Sequence, residues 1–265
     1  MNEYKSSCWI RIIVLITYLV MIVVNALANI LPLNGQTTGQ VASAYPNLFA
    51  PSGYTFTIWG LIYLLLSIYT LYQLELFQKN KSNNISILFD NIGLYFFVSS
   101  LANIIWIFAW HFNLIALSLW MIVIILICLI LINQITSKAK LSQRDKIFIR
   151  LPFSIYFGWI TIATIANVTT LLVSLGWNGW GIKESTWTIM VILLGLVIAV
   201  VTIFRNKDIA YGLVIIWAYC GILYKHLSYS GFNGQYPFII TTVIISLVVL
   251  FIVVSFTFFL NRKEE

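Results

Sequence analysis

The sequence predicts an all-α protein: a polytopic membrane helix bundle with eight transmembrane helices and with its N and C termini cytoplasmic. The first observation is composition, because 61% of the 265 residues are hydrophobic and only 9% are charged. A soluble domain usually carries about 25% charged residues. The second observation is a series of eight apolar runs, and a bilayer is spanned by roughly 20 such residues. The third is that the positive charges between these runs fall almost entirely on one side of the membrane.

The eight runs are apolar all round, whereas a membrane strand would require alternating polarity. They are Trp9–Ile30, Tyr54–Leu76, Leu88–Trp110, Leu114–Ile135, Ile149–Leu175, Trp187–Phe204, Ile209–Lys225 and Phe238–Leu260. Only residues 111–113 separate the third run from the fourth, and only residues 205–208 separate the sixth from the seventh. Both pairs are therefore predicted to form antiparallel helical hairpins. The first run is longer than the apolar region of a signal peptide, so we expect it to be retained.

Lysine and arginine set the predicted orientation. With a cytoplasmic N terminus, 13 of these residues lie inside and two lie outside. The inner ones are Lys5, Arg11, Lys79, Lys81, Lys138, Lys140, Arg144, Lys146, Arg150, Arg205, Lys207, Arg262 and Lys263, and the outer ones are Lys183 and Lys225. This asymmetry obeys the positive-inside rule and predicts a multi-pass protein of the cell membrane. Because the positive charges lie between membrane runs, a nucleic-acid partner is excluded.

The charged and metal-binding residue types exclude several further functions. The acidic residues all fall at or beyond the ends of the runs, and Arg11 lies close enough to the inner interface to snorkel. Ion-coupled pumps keep an ionisable residue inside the bundle, so proton-coupled transport is disfavoured. His111 and His226 have no neighbouring carboxylate or thiolate, and the three cysteines have no metal spacing. We therefore expect no metal.

Two loops and several deep polar or aromatic residues leave alternatives open. Residues 33–53 carry no charge and form either a lid over an outer cavity or a passive connector. Residues 176–186 are rich in Trp and Gly, which is typical of an interfacial aromatic belt. The aromatics and asparagines inside the runs either fill volume and tie helices together or line a flat apolar pocket.

Three short motifs fall on three of the predicted helices. The second helix has Pro51, Trp59, Gly60 and Tyr63; the third has Asn103-Ile104-Ile105-Trp106; the fifth has Trp159, Ala163, Thr164 and Asn167. In this order they resemble the motifs of the translocator protein / tryptophan-rich sensory protein (TspO/MBR) family, whose members have five membrane helices. The resemblance covers about residues 9–175. It predicts a five-helix TspO-like unit over 1–175 and a three-helix C-terminal extension over 176–265, which makes this chain an enlarged member.

The chain departs from the family pattern at several positions. Trp110 and His111 stand where the family usually has two Phe, and Thr55 replaces an aromatic or apolar residue. Pro152 stands seven residues before Trp159, where the family's proline usually stands four before. The acidic residue common in the fourth helix of the family is missing here.

The resemblance implies an integral membrane receptor or sensor for a planar hydrophobic ligand, a porphyrin or other tetrapyrrole. The implied site is an aromatic pocket of the first five helices, capped by the first loop. Its ligand-binding residues would be Trp59, Tyr63, Asn103, Trp106, Trp110, Trp159, Ala163 and Asn167. The resemblance also leaves open a light-dependent porphyrin-degrading enzyme, with unknown catalytic residues. The helix count leaves open a transporter of a lipophilic metabolite. The expected partners are membrane lipid and a hydrophobic small molecule, with no cofactor beyond a porphyrin ligand, and a homo-oligomer stays open.

The seventh run carries more polar aromatic groups than its neighbours. These residues are Tyr211, Trp217, Tyr219 and Tyr224. Because a buried hydroxyl or indole N–H needs a partner, we expect this helix to pack inside the protein against the five-helix unit. The sixth and eighth helices would then shield it from lipid. For Tyr224, a place at the membrane interface is the better interpretation.

Overall fold

The computed structural model describes residues 8–74 and 83–264, and among these residues it contains helices and no strands. Eight of the helices in this part of the chain are long and apolar enough to cross a membrane. The helices that form these spans are α1 (Cys8–Ile30), α2 (Ile58–Tyr72), α3 (Asn83–His111), α4 (Ile115–Lys138), α5 (Leu151–Ser174), α6 (Glu184–Asn206), α7 (Ile209–Leu227) and α8 (Pro237–Glu264). The second span also includes the short helical turn from Gly53 that precedes α2, and the fifth includes the helical residues from Gln143 that precede α5. The predicted fold class and the number of spans are confirmed, and the cytoplasmic location of the termini stays a prediction. The predicted end of the second run at Leu76, together with Lys5, Lys79 and Lys81, lies outside the described residues.

The chain divides into two compact units. The first comprises the residues up to Thr38 together with Trp59–Phe157, and the second comprises Gly39–Ile58 together with Gly158–Glu265. The boundary at 157/158 falls within α5. The predicted division of the chain at residue 175 rests on the extent of the sequence motifs and stays a prediction.

The first unit is built on a hairpin of α3 and α4 and on the packing of α1 against α3. Asn113 closes the hairpin with a left-handed backbone (φ 59°), and the Leu114 amide donates to the Ala109 carbonyl at 2.8 Å. On α3, Gly93 lets α1 approach closely, because a Cβ there would lie 2.8 Å from Ile10 Cγ2. Small residues serve this purpose between membrane helices. The predicted hairpin of the third and fourth helices is confirmed.

The second unit contains α6, α7, α8, most of α5 and the segment 39–58. Lys207, with a left-handed φ of 50°, ends α6. The Asp208 carboxylate then caps α7 by accepting from the Tyr211 amide at 3.1 Å. Helices α6 and α7 contact each other, so the second predicted hairpin is also confirmed. Helix α8 packs against both α6 and α7.

Three of the four polar aromatic residues of α7 donate hydrogen bonds inside the second unit, as their composition predicts. Tyr211 donates to the Thr161 hydroxyl at 3.3 Å, and Tyr219 donates to the Ile192 carbonyl at 2.6 Å. Trp217 donates from Nε1 to the Thr55 carbonyl at 3.1 Å. Both tyrosine side chains are fully buried, whereas Trp217 keeps 37% exposure.

Two charged residues of the first unit are buried, contrary to the expectation from the sequence. Arg11 is 6% exposed and Asp90 is 5% exposed, and each lies within a candidate membrane span. The expectation that Arg11 snorkels and that no ionisable group enters the bundle is therefore wrong. Hydropathy gives the depth of a residue along its helix but not the face on which it lies, and these two residues lie on inward faces.

Candidate ligand site

Four of the predicted ligand residues form a continuous aromatic ladder in the first unit. Trp59 stacks on Tyr63 with centroids 5.4 Å apart and an interplanar angle of 21°. Trp59 also lies 6.0 Å from Trp106 at 33°. Trp106 in turn stacks on Trp110 at 5.8 Å and 18°. The order along this aromatic ladder is therefore Tyr63, Trp59, Trp106 and Trp110.

Helix periodicity explains why these rings meet. Trp59 and Tyr63 are four residues apart on α2, and Trp106 and Trp110 are four residues apart on α3. Residues with this spacing share one face of a helix. Two helices that face each other therefore bring four rings into one row, with their planes inclined by no more than 33° between neighbours.

The centre of the aromatic ladder holds an unsatisfied donor. Trp106 is 5% exposed, and its indole Nε1–H has no hydrogen-bond acceptor. In contrast, the Nε1–H of Trp110 donates to the Thr38 carbonyl at 3.1 Å. Nearly all buried polar groups in proteins are hydrogen-bonded, so an exception calls for an explanation. Trp106 can supply a hydrogen bond to an acceptor that the chain itself does not provide.

An amide and hydroxyl chain runs beside the aromatic ladder. The Asn25 side chain donates to the Asn103 amide oxygen at 2.7 Å, and the Asn103 side chain donates to the Tyr156 hydroxyl at 3.2 Å. The Tyr156 ring also lies 6.0 Å from that of Trp59, at 61°. Asn103, which is fully buried, therefore ties α1 and α5 to α3. Each such contact contributes about 0.6 kcal/mol between membrane helices.

The three remaining predicted residues belong to the second unit. Trp159 is 2% exposed and meets the Phe56 ring edge-to-face at 5.5 Å. Asn167 is 2% exposed, and Ala163 is half-buried. Their part in ligand binding stays a prediction.

Sequence reasoning missed Asn25, Tyr156 and the burial of the two histidines. His111 ends α3 and His226 lies in the last turn of α7, and both are fully buried. His111 Nδ1 lies 2.8 Å from the Ile107 carbonyl oxygen, and the His226 Nε2–H donates to the Leu48 carbonyl at 2.9 Å. A signal for Asn25 was present, because an amide in an apolar run requires a polar partner. The identity of that partner depends on contacts far apart in sequence.

The helices and the aromatic ladder together define this chain as a polytopic α-helical membrane protein with a row of stacked aromatic rings between its second and third helices. The family model described as TSPO-like protein matches residues 11–256, so the chain belongs to the TSPO-like protein family. The match runs through α6, α7 and most of α8, further than the motifs that end near residue 175. No curated protein matches the chain. No solved structure matches it either.

Proposed function

We propose that this protein is a membrane receptor or sensor that binds a planar hydrophobic ligand, a porphyrin or other tetrapyrrole, on the aromatic ladder of the first unit. The observation that carries the proposal is the buried, unsatisfied indole N–H of Trp106 in the middle of that ladder. A flat apolar ligand with an acceptor at its edge would stack on the rings and take this hydrogen bond. Membership of the TSPO-like family supports the proposal.

The surroundings suit binding of a flat molecule. Each aromatic stacking contact contributes about 0.5–1.5 kcal/mol beyond burial, and a satisfied hydrogen bond adds about 1 kcal/mol. The hydrogen bonds of Asn103 to Asn25 and Tyr156 hold three helices together beside the rings. Such preorganisation lowers the entropic cost of binding.

The test is a titration of the full-length protein in lipid nanodiscs with protoporphyrin IX in the dark, followed by the shift of porphyrin absorbance. We expect saturable binding to the wild type. The variant Trp59→Ala plus Trp106→Ala should bind at least roughly tenfold more weakly, because two stacking contacts are lost. Trp106→Phe keeps one aromatic ring but removes the N–H together with the second ring of the indole, so a roughly fivefold loss is expected.

Trp120→Ala is the matched control, because Trp120 lies on α4 in the same unit and is 69% exposed. It should bind like the wild type. No saturable binding to the wild type, or an equal loss in the Trp120 variant, would contradict the proposal. Illumination of the bound complex then separates a receptor from a light-dependent enzyme, since only the enzyme gives a product spectrum that illuminated porphyrin in protein-free nanodiscs does not give.

A further inference from the structure

The second unit contains a cavity of about 550 Å³ that the proposed function does not use. Four pieces of chain line it: residues 46–49, the last turns of α5, the loop 176–182 and the first two turns of α6. Its volume lies within the range of small-molecule sites, which is about 300–1,000 Å³. All of its lining residues belong to the second unit.

The wall formed by residues 46–49 is fixed from two sides. The Leu48 amide donates to Glu184 Oε1 on α6 at 3.2 Å, and the Leu48 carbonyl accepts from His226 Nε2–H on α7 at 2.9 Å. The Asn47 side-chain oxygen accepts from the amides of Phe49 and Ala50 at 3.2 and 2.8 Å. Hydrogen bonds within the protein therefore hold residues 46–49 in place.

A hydrogen bond and aromatic packing also fix the conformation of the loop 176–182. Trp187 donates from Nε1 to the Gly179 carbonyl at 2.8 Å. Gly179 has a left-handed φ of 64°, and a Cβ there would lie 3.1 Å from the Trp187 ring. The rings of Trp177 and Trp187, which both line the cavity, lie 5.2 Å apart at 57°. Two indole rings set at an angle thus stand at one side of the cavity.

The polar groups of the lining are nearly all used within the protein. Thr188 donates to the Glu184 carbonyl at 2.9 Å, and the Asn178 side chain accepts from the Trp180 amide at 3.0 Å. What stays available is the negative charge of Glu184, whose carboxylate has one amide donor and no cationic partner among the described residues. The Glu184 and Lys183 side chains are both exposed, but only Glu184 lines the cavity.

We infer that this cavity binds a lipophilic organic cation, with its apolar groups among the aliphatic and indole side chains and its positive charge near Glu184. The apolar lining favours these apolar groups. A cation is attracted both by the carboxylate and by the faces of tryptophan rings within about 6 Å. An anion of the same shape would be repelled by Glu184.

The probe is tetraphenylphosphonium, whose four phenyl rings surround one positive charge, and tetraphenylborate is its anionic counterpart of the same shape. Equilibrium dialysis against the full-length protein in nanodiscs measures both, with protein-free nanodiscs giving the lipid background. We expect saturable binding of the cation alone. Glu184→Gln should weaken it roughly fivefold, because the amide keeps an acceptor for Leu48 but lacks the charge. Trp177→Leu should weaken it about threefold.

The matched controls are Lys183→Gln, which changes the adjacent charge, and Trp180→Leu, which removes an indole that is 77% exposed and outside the lining. Neither should weaken binding. Equal effects of Glu184→Gln and Lys183→Gln, equal binding of the borate anion, or no saturable binding of the phosphonium would overturn the inference. Trp59→Ala plus Trp106→Ala should leave phosphonium binding unchanged, so failure of the porphyrin proposal and failure of this one are distinguishable.

Discussion

Gly195 on α6 lies against Tyr219 on α7. We predict that Gly195→Ala lowers the free energy of unfolding in the wild type but raises it in a Tyr219→Phe variant. A Cβ at Gly195 would lie 2.7 Å from the Tyr219 hydroxyl oxygen, 3.5 Å from Ile165 Cδ1 and 3.8 Å from Tyr219 Cζ. Only the first of these distances is well inside ordinary contact, which is about 3.5 Å or more. The hydroxyl cannot simply move aside, because Tyr219 is fully buried and donates to the Ile192 carbonyl at 2.6 Å.

Two opposing effects set the magnitude for Gly195→Ala. Forcing the Tyr219 ring away costs about 1–3 kcal/mol in strain and repacking, and loss of its hydrogen bond costs about 0.6–1.5 kcal/mol. Alanine in place of glycine within a helix stabilises the helix by about 1 kcal/mol. We therefore expect a net decrease of about 0.6–3.5 kcal/mol in the free energy of unfolding.

The same change should stabilise the Tyr219→Phe background. Phenylalanine lacks the oxygen, so the new methyl group would meet its nearest neighbours at 3.5 and 3.8 Å. Only the helix-propensity gain of about 0.5–1 kcal/mol then remains. The expected coupling energy between the two positions is about 2 kcal/mol, which is within the range for residues in contact.

The assay is reversible unfolding in mixed micelles, with helix content followed by circular dichroism for the wild type, both single variants and the double variant. Gly60→Ala on α2 is the control, because a Cβ there would meet nothing within 4 Å, so its effect should be the same in both backgrounds. If Gly195→Ala changes stability equally with and without the tyrosine hydroxyl, the packing argument is refuted.

Three further outcomes follow from buried polar groups. Asn103→Leu removes two side-chain hydrogen bonds and should lower the free energy of unfolding by about 1–2 kcal/mol; an unchanged unfolding curve would contradict this. His226→Leu removes the donor to the Leu48 carbonyl, so hydrogen exchange measured by mass spectrometry should accelerate in residues 46–50 but not along α4. Arg11 and Asp90 are buried residues of opposite charge in the first unit, so we expect Asp90→Leu to cost about 3 kcal/mol and the double variant with Arg11→Met to cost less; equal losses would show that the two charges are independent.

The eight spans and both tight hairpins were predictable because they depend on local composition. Hydropathy over about 20 residues identifies a span, and a linker as short as residues 111–113 leaves an antiparallel return as the simplest geometry. The aromatic ladder was partly predictable for a similar reason. Spacing by four residues places Trp59 with Tyr63 and Trp106 with Trp110 on single helix faces, although the sequence alone does not show that these two faces meet.

What the sequence could not supply is the pairing of groups far apart along the chain. Asn25 and Asn103 are 78 positions apart, and Leu48 and His226 are 178 positions apart. No periodicity encodes such partners. The burial of Asp90 was missed for a related reason: its position near a span end was visible, but the helix face that it occupies depends on which helices pack around α3.

The backbone of residues 48–55 indicates a structural role for α6 and α7, which the sequence left open. The Leu48 amide bonds to α6, and the Leu48 carbonyl, the Ser52 amide and the Thr55 carbonyl bond to His226, Gly221 and Trp217 of α7. Backbone groups withdrawn from water must find partners inside the protein, and for this segment those partners come from α6 and α7. Gly221 is also required there, because a Cβ at that position would collide with Thr55. Helices α6 and α7 therefore help to hold residues 48–55 in their conformation. In a chain shortened to the first five helices, four backbone groups of this segment would lack these partners.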